Sequence, residues 1–183
     1  TTAIVHLPIG AEGGFRGMVD LVTMQALVWA EDDTELGANY EVKEIPADLA
    51  DDAEMYRQEL IDVLSSHNDV ILEKFVGEEE ITADDLRDAL RDATIAGEVV
   101  PVLCGTAFKN KGVQPLLDAI IDYLPSPLDL PPVQGESPNG KETLERKVDD
   151  GEPFAALAFK IVADPHGKLT YFRVYSGKVD KGE

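Results

Sequence analysis

The residues best placed to do chemistry in this 183-residue chain lie in one short turn, Cys104-Gly105-Thr106-Ala107. Before it runs Val99-Val100-Pro101-Val102-Leu103, which is too short for a helix and rich in β-branched residues, so it reads as a buried strand. After it come a basic loop, Phe108-Lys109-Asn110-Lys111-Gly112, and a helix with Pro115 in its first turn. That helix carries apolar residues at Val113, Leu116, Leu117, Ile120, Ile121 and Leu124. Strand, small-residue turn and helix make one unit of an α/β sheet, and open α/β sheets hold ligands at the carboxyl ends of their strands. Backbone N–H groups in such a turn, unhindered by large side chains, can donate hydrogen bonds to a ligand edge.

Other chemistry is sparse. His6, His67 and His166 are far apart and show no metal-ligand spacing. His67 falls in a helix break and His166 at a turn tip, and both read as solvated rather than catalytic. Cys104 reads as a small buried hydrophobe, because no His or Asn is placed to activate it. The carboxylates follow helix surfaces, and no acid/base pair stands out. Gly10, Gly13 and Gly14 are turn glycines rather than a phosphate loop, since no Gly-Lys-Ser/Thr follows and no helix starts there.

Charge narrows the function classes. The formal net charge is −20, which argues against direct nucleic-acid binding, because phosphate contacts need clustered Lys and Arg. Most of that charge is local: residues 31–92 hold 21 Asp and Glu against 5 Lys and Arg. Composition alone favours a solvated helical surface. The sharper reading is a docking face for a basic partner, since a concentrated field steers association. With 44% hydrophobic residues the chain can bury a core, and no apolar run approaches membrane-span length. A single cysteine excludes an internal disulfide framework and fits a reducing cytoplasm. The chain starts at Thr1 without Met or a leader pattern, which suggests a fragment of something longer.

The elements that position the turn follow from periodicity. Residues 3–9, 15–22 and 26–29 are short apolar runs separated by Gly-rich turns, which predicts an antiparallel meander. Residues 31–39 form a polar loop and 40–45 a short alternating segment. From Ala47 the period changes: Leu49, Ala53, Tyr56, Leu60, Val63 and Leu64 mark an amphipathic helix. A second helix spans 69–76 and is closed by Gly77. A third is capped by Thr82 with Asp84 and Asp85 in its first turn, buries Leu86, Ala89, Leu90 and Ala93, and ends at Gly97. Residues 1–97 thus predict an acidic α+β lobe, and 98–128 the strand–turn–helix unit. Residues 129–152 read as a linker after a Pro-rich connector, since four prolines fall within 125–132. In 153–183 two strands around Asp164-Pro165-His166-Gly167-Lys168 begin a β domain, with an unsatisfied edge.

At this point the residues carry a resemblance. Cys104-Gly105-Thr106-Ala107-Phe108-Lys109-Asn110-Lys111-Gly112-Val113-Gln114-Pro115-Leu116-Leu117-Asp118, with Tyr123-Leu124-Pro125-Ser126-Pro127, resembles the end of the GTPase domain of the elongation factor G family. Leu7-Pro8-Ile9-Gly10-Ala11-Glu12, Phe15, Gly17, Met18-Val19-Asp20-Leu21-Val22 and Trp29 resemble the start of that family's inserted subdomain. Phe159-Lys160, Asp164-Pro165, Gly167 and Arg173-Val174-Tyr175-Ser176-Gly177 resemble the first strands of its β-barrel second domain. The resemblance runs end to end in the family's order. It implies the last strand and helix of a P-loop GTPase sheet, an inserted acidic α+β subdomain and a truncated β-barrel.

The resemblance also implies roles. Thr106-Ala107-Phe108 matches the last guanine-recognition motif, with Thr at 106 for the usual Ser, and there the N–H at Ala107 donates to the guanine carbonyl oxygen of GTP or GDP. The acidic lobe matches the insertion that meets the stalk protein of the large ribosomal subunit, in a cytoplasmic factor that drives tRNA and mRNA translocation. The phosphate loop, the switch threonine and the Asp-x-x-Gly motif are absent from the sequence, so the magnesium site would lie outside this chain. Asn110-Lys111-Gly112-Val113 resembles Asn-Lys-x-Asp only superficially: it lacks the Asp, and it follows the Thr-Ala turn rather than preceding it. It reads as a basic loop, with the true motif expected just before Thr1. The chain alone is expected to have no GTPase activity. The competing expectation is a non-enzymatic acidic interaction module.

Overall fold

The computed structural model describes residues 1–30, 37, 39–137, 139–165 and 167–182. It divides into two compact units, Thr1–Leu124 and Pro125–Glu183. Most of the polar loop expected at 31–39, and His166 at its turn tip, lie outside the described residues.

In the first unit β1 (Thr2–Ile4) leads into a four-stranded antiparallel sheet of β2 (His6–Ile9), β3 (Gly17–Asp20), β4 (Gln25–Val28) and β5 (Glu41–Lys43), in that order. Helices α1 (Ala50–Ser65), α2 (Asp69–Val76) and α3 (Ala83–Ile95) follow. Strand β6 (Val100–Val102) then pairs parallel with β1, and α4 (Val113–Tyr123) closes the unit. The single strand expected over residues 3–9 is therefore two. At Val5 the chain changes sheets: its N–H donates to Val102 and its carbonyl accepts from Leu21, both at 2.9 Å.

One core holds Leu60, Leu64, Leu86 and Leu90 of the helices together with Val99, Ala119 and Tyr123 of the strand–turn–helix unit. Arg57 ties the meander to the helices, donating to the carbonyls of Leu21, Val22 and Ile81. Arg91 donates to the carbonyls of Ile121, Asp122 and Leu124 and so satisfies the carboxyl end of α4.

Local chemistry accounts for the helix ends. Asn68 Oδ1 accepts from Val70 and Ile71, which converts the break after α1 into the start of α2. Gly77 closes α2 in right-handed geometry, and the left-handed residue is Glu78 at φ 54°. Thr82 and Asp85 form a reciprocal capping box on α3. Lys74 Nζ reaches Asp85 Oδ2 at 2.6 Å and pins α2 to α3. The Lys74 ammonium and the Thr82 hydroxyl and N–H hold the Asp85 carboxyl down, to about 2 from an ordinary 3.8. A carboxyl whose folded pKa is depressed stabilises the fold above its unfolded pKa and loses that contribution as pH falls through the folded value. Unfolding midpoints measured from about pH 5 down to about pH 2 should therefore fall more steeply in the parent than in Asp85→Asn; equal slopes would contradict the box.

Helix α4 turns its smaller side inward. Pro115, Ala119 and Tyr123, four residues apart, are buried, whereas Leu116, Leu117, Ile120 and Ile121 are exposed, Ile121 to 74%. Val100 and Val102 of β6 are exposed as well. The strand–turn–helix unit thus carries an apolar surface that the described residues leave uncovered.

In the second unit a 3₁₀ turn at Pro127–Asp129 is capped by Ser126. The stretch expected as linker contains a hairpin, β7 (Val133–Glu136) with β8 (Thr143–Arg146). Asn139-Gly140, with Gly140 at φ 65°, supplies its reversal. The two expected strands form the hairpin of β9 (Ala155–Asp164) and β10 (Gly167–Ser176). Leu157, Phe159 and Ile161 alternate onto one face of β9 and are each more than half exposed. The chain is mixed α/β, with several sheets and four helices. Among the described residues no helix is long and apolar enough to cross a membrane.

Candidate functional site

The turn begins where β6 ends. Thr106 and Lys111 form an isolated antiparallel bridge, exchanging hydrogen bonds of 2.9 and 3.2 Å. Within this loop Ala107–Lys109 make one 3₁₀ turn, closed by the Lys109 N–H on the Thr106 carbonyl at 3.2 Å. Ala107 and Phe108 precede that first internal bond, so their N–H groups have no partner inside the turn.

Two glycines allow the loop to close. A Cβ on Gly105 would stand 2.9 Å from the Lys111 carbonyl oxygen. Gly112 sits at φ 91°, and a Cβ there would stand 2.8 Å from Met18 Cε and 3.1 Å from Cys104 O. Only glycine takes that conformation in that space without strain.

Support comes from the meander, which holds the turn through a second small core of Phe15, Met18, Leu27 and Trp29, with Tyr40 and Cys104 against it. Trp29 is 1% exposed and stacks at a tilt on Tyr40, ring centres 5.1 Å apart. Its indole N–H donates to the Gly37 carbonyl at 3.0 Å, and the Gln114 amide donates to the same oxygen. Sequence reasoning missed this hub, because a lone Trp and a Gly inside a polar loop have no periodicity to connect them.

The basic loop differs from its expected form. Lys111 is buried, with Nζ 3.3 Å from the Ala30 carbonyl oxygen, and Lys109 Nζ reaches the Gly13 carbonyl at 3.2 Å. Both ammonium groups serve as struts between the turn and the meander.

Of the three predicted site residues, Thr106 and Ala107 line a cavity of about 210 Å³, together with Leu103, Cys104, Gly105 and Leu116 among others. Phe108 does not line it and is fully exposed. The cavity is below the roughly 300–1,000 Å³ of a complete small-molecule pocket, so the turn supplies one wall of a site. Its chemistry is that of a donor edge. Burial pushes the Cys104 thiol up to about 11, which keeps it protonated. At pH 8 its alkylation by iodoacetamide should run about 100-fold slower than in the urea-unfolded chain; equal rates would contradict the burial. His67, expected to be solvated, has Nδ1 3.1 Å from a Glu98 carboxylate oxygen. Among the described residues no three His, Cys, Asp or Glu side chains gather as metal ligands.

No protein-family model matches the chain. A crystal structure of a protein from Thermus thermophilus overlays all of it at 24% identity with a TM-score of 0.70. The likeness is one of fold. The present chain spans 24% of that protein's length.

Proposed function

We propose that this chain is part of a ribosomal translocase GTPase of the elongation factor G family, and that the turn at Thr106-Ala107-Phe108 reads guanine. The observation that carries the proposal is the donor edge: the Ala107 N–H, without a partner inside its turn, follows a parallel strand beside a cavity of sub-nucleotide size that Ala107 lines. In this reading the Ala107 N–H meets the guanine carbonyl oxygen of GTP or GDP. The phosphate loop and magnesium site belong to sequence before Thr1, and the remaining strands of a P-loop GTPase sheet cover β6 and the apolar face of α4. The hairpin β9–β10 starts the β-barrel domain.

The acidic lobe is then the inserted subdomain that docks the large-subunit stalk protein in the cytoplasm. Its charge supports this, as do Leu72, Phe75 and Val76, which lie exposed on α2 among carboxylates. The same features favour a second reading, a non-enzymatic acidic interaction module.

Guanine nucleotide binding separates the two. The isolated chain should show no saturable binding of GDP by calorimetry, while a protein extended upstream through the phosphate loop should bind it. Ala107 opens its 3₁₀ turn after an extended Thr106, a setting that proline tolerates. Ala107→Pro in the extended protein replaces the N–H with a ring methylene and should weaken GDP binding by at least about 10- to 100-fold. Tight binding by the isolated chain, or an unchanged affinity in Ala107→Pro, would overturn the reading.

A further inference from the structure

His6 stands where the first unit joins its two sheets. It opens β2 directly after Val5, whose N–H donates to Val102 of β6 and whose carbonyl accepts from Leu21, just past β3. The bond to Val102 ties down the end of β6 immediately before Leu103 and the turn that carries Thr106 and Ala107. His6 is 8% exposed, and its Nδ1 is closed off from solvent with no hydrogen-bond partner. A neutral imidazole can keep its one proton on Nε2, whereas the imidazolium must carry a second proton on Nδ1. There the added N–H is a charged donor with neither water nor an acceptor to receive it, which is costly in a packed interior.

The charged surroundings do not offset that cost. Asp20 pairs with His6 in the β2–β3 register, but its carboxylate accepts from the Val22 N–H at 2.8 Å and the Thr23 hydroxyl at 2.7 Å. Burial of the ring lowers the His6 pKa and is a larger effect than the pull of Asp20, which raises it. Asp118, Asp122 and Tyr123 of α4, Arg87 of α3 and Tyr40 line the open cavity that His6 also borders. Asp118 and Asp122 are exposed, so water and salt screen them. Arg87 is paired with Asp84 at 2.6 Å, and burial pushes the Tyr123 hydroxyl up to about 12, which keeps it neutral. Arg57 of α1 is committed to the carbonyls of Leu21, Val22 and Ile81.

We propose that His6 is an acid-sensitive latch: its neutral ring keeps the junction at Val5 closed, and its protonation opens that junction and loosens the strand end bearing the Thr106-Ala107 turn. The sign follows from the two states in equilibrium. In the open state the ring is hydrated and titrates near the ordinary 6.5, above its value in the closed state. The open state therefore binds more protons, so the contribution to closure is complete above that value and is lost as pH falls below it.

Native-state hydrogen exchange of the whole chain at about pH 7.5 and about pH 5.5, corrected for intrinsic rates, tests this. The Val5 and Leu21 amides, which make the two junction bonds, should lose protection several-fold at the lower pH. About tenfold is the ceiling that an opened imidazole of ordinary pKa sets there. The Leu86 and Leu90 amides of α3 should lose less. In His6→Gln, which cannot gain the proton, the difference at Val5 and Leu21 should vanish, and in His67→Gln it should remain. The parent needs no variant for a second measurement: by NMR its His6 ring should titrate below the ordinary imidazole value. Equal protection at the two pH values, a loss as large at Leu86 and Leu90, or a pH difference that survives His6→Gln overturns the proposal. So does a His6 ring that titrates at or above the ordinary value.

Discussion

Trp29→Ala should destabilise the first unit by about 3–5 kcal/mol, the range for emptying a buried large aromatic position. The indole is buried, and its loss removes the packing against Tyr40 and leaves one donor fewer on the Gly37 carbonyl. Gly37 packs directly on the turn, since a Cβ there would stand 2.6 Å from the Asn110 carbonyl carbon. The damage should therefore concentrate at the candidate site. Hydrogen exchange should show lost amide protection at Thr106 and Lys111, whose bridge the meander supports, beyond that at Leu86 and Leu90 in the helical core. Trp29→Phe keeps most of the packing and loses the indole N–H, so it should cost about 1–2 kcal/mol. Equal losses in the two variants would show that the hydrogen bond, rather than the packing, holds the turn.

Gly112→Ala should cost about 2–5 kcal/mol, combining left-handed backbone strain of about 1–2 with overpacking of about 1–3 kcal/mol. The added methyl meets Met18 Cε, which can move, and the Cys104 carbonyl and Gly105 Cα, which are backbone. Met18 is fully buried, so Met18→Ala costs about 2–5 kcal/mol by itself. Because it opens space on one side only, the further cost of Gly112→Ala in that background should be reduced in part and no more. Its complete disappearance would place the strain in packing alone. Denaturant midpoints of the three variants against the parent decide this.

How far the sequence revealed this architecture depends on the range of the signal. Helices α1, α2 and α3 were legible because Leu60, Leu64, Leu86 and Leu90 repeat at helical spacing and Thr82 announces a cap. The meander was legible from its Gly-rich turns. What was hidden is long-range. Nothing local at Val5 says that its N–H and carbonyl serve different sheets, because Ala3–Ile9 is continuously apolar. The pairing of β1 with β6 joins residues nearly a hundred positions apart. The hairpin at 133–146 was obscured by the polar composition of its strands, although Asn139-Gly140 was a turn signal in plain view.

At the site, Thr106 and Ala107 stand out in the sequence by their place after a strand, and in the structure both line one cavity. Only motif order points to Phe108, whose exposed side chain stands apart from that cavity. Lys111 shows the limit of composition: in sequence it belongs to a basic loop, but its chain path buries it beside Ala30. In the sequence His6 is a lone histidine without ligand spacing; the fold buries its Nδ1 without a hydrogen-bond partner.

The central claim is that the Thr106-Ala107 turn is the guanine-reading edge of a GTPase whose phosphate site precedes Thr1. The most direct measurement is to determine the coding sequence immediately upstream of Thr1. The account predicts an Asn-Lys-x-Asp motif just before it and a Gly-x-x-x-x-Gly-Lys-Ser/Thr phosphate loop further upstream in the same frame. A reading frame that contains neither would contradict it and leave an acidic binding module in its place.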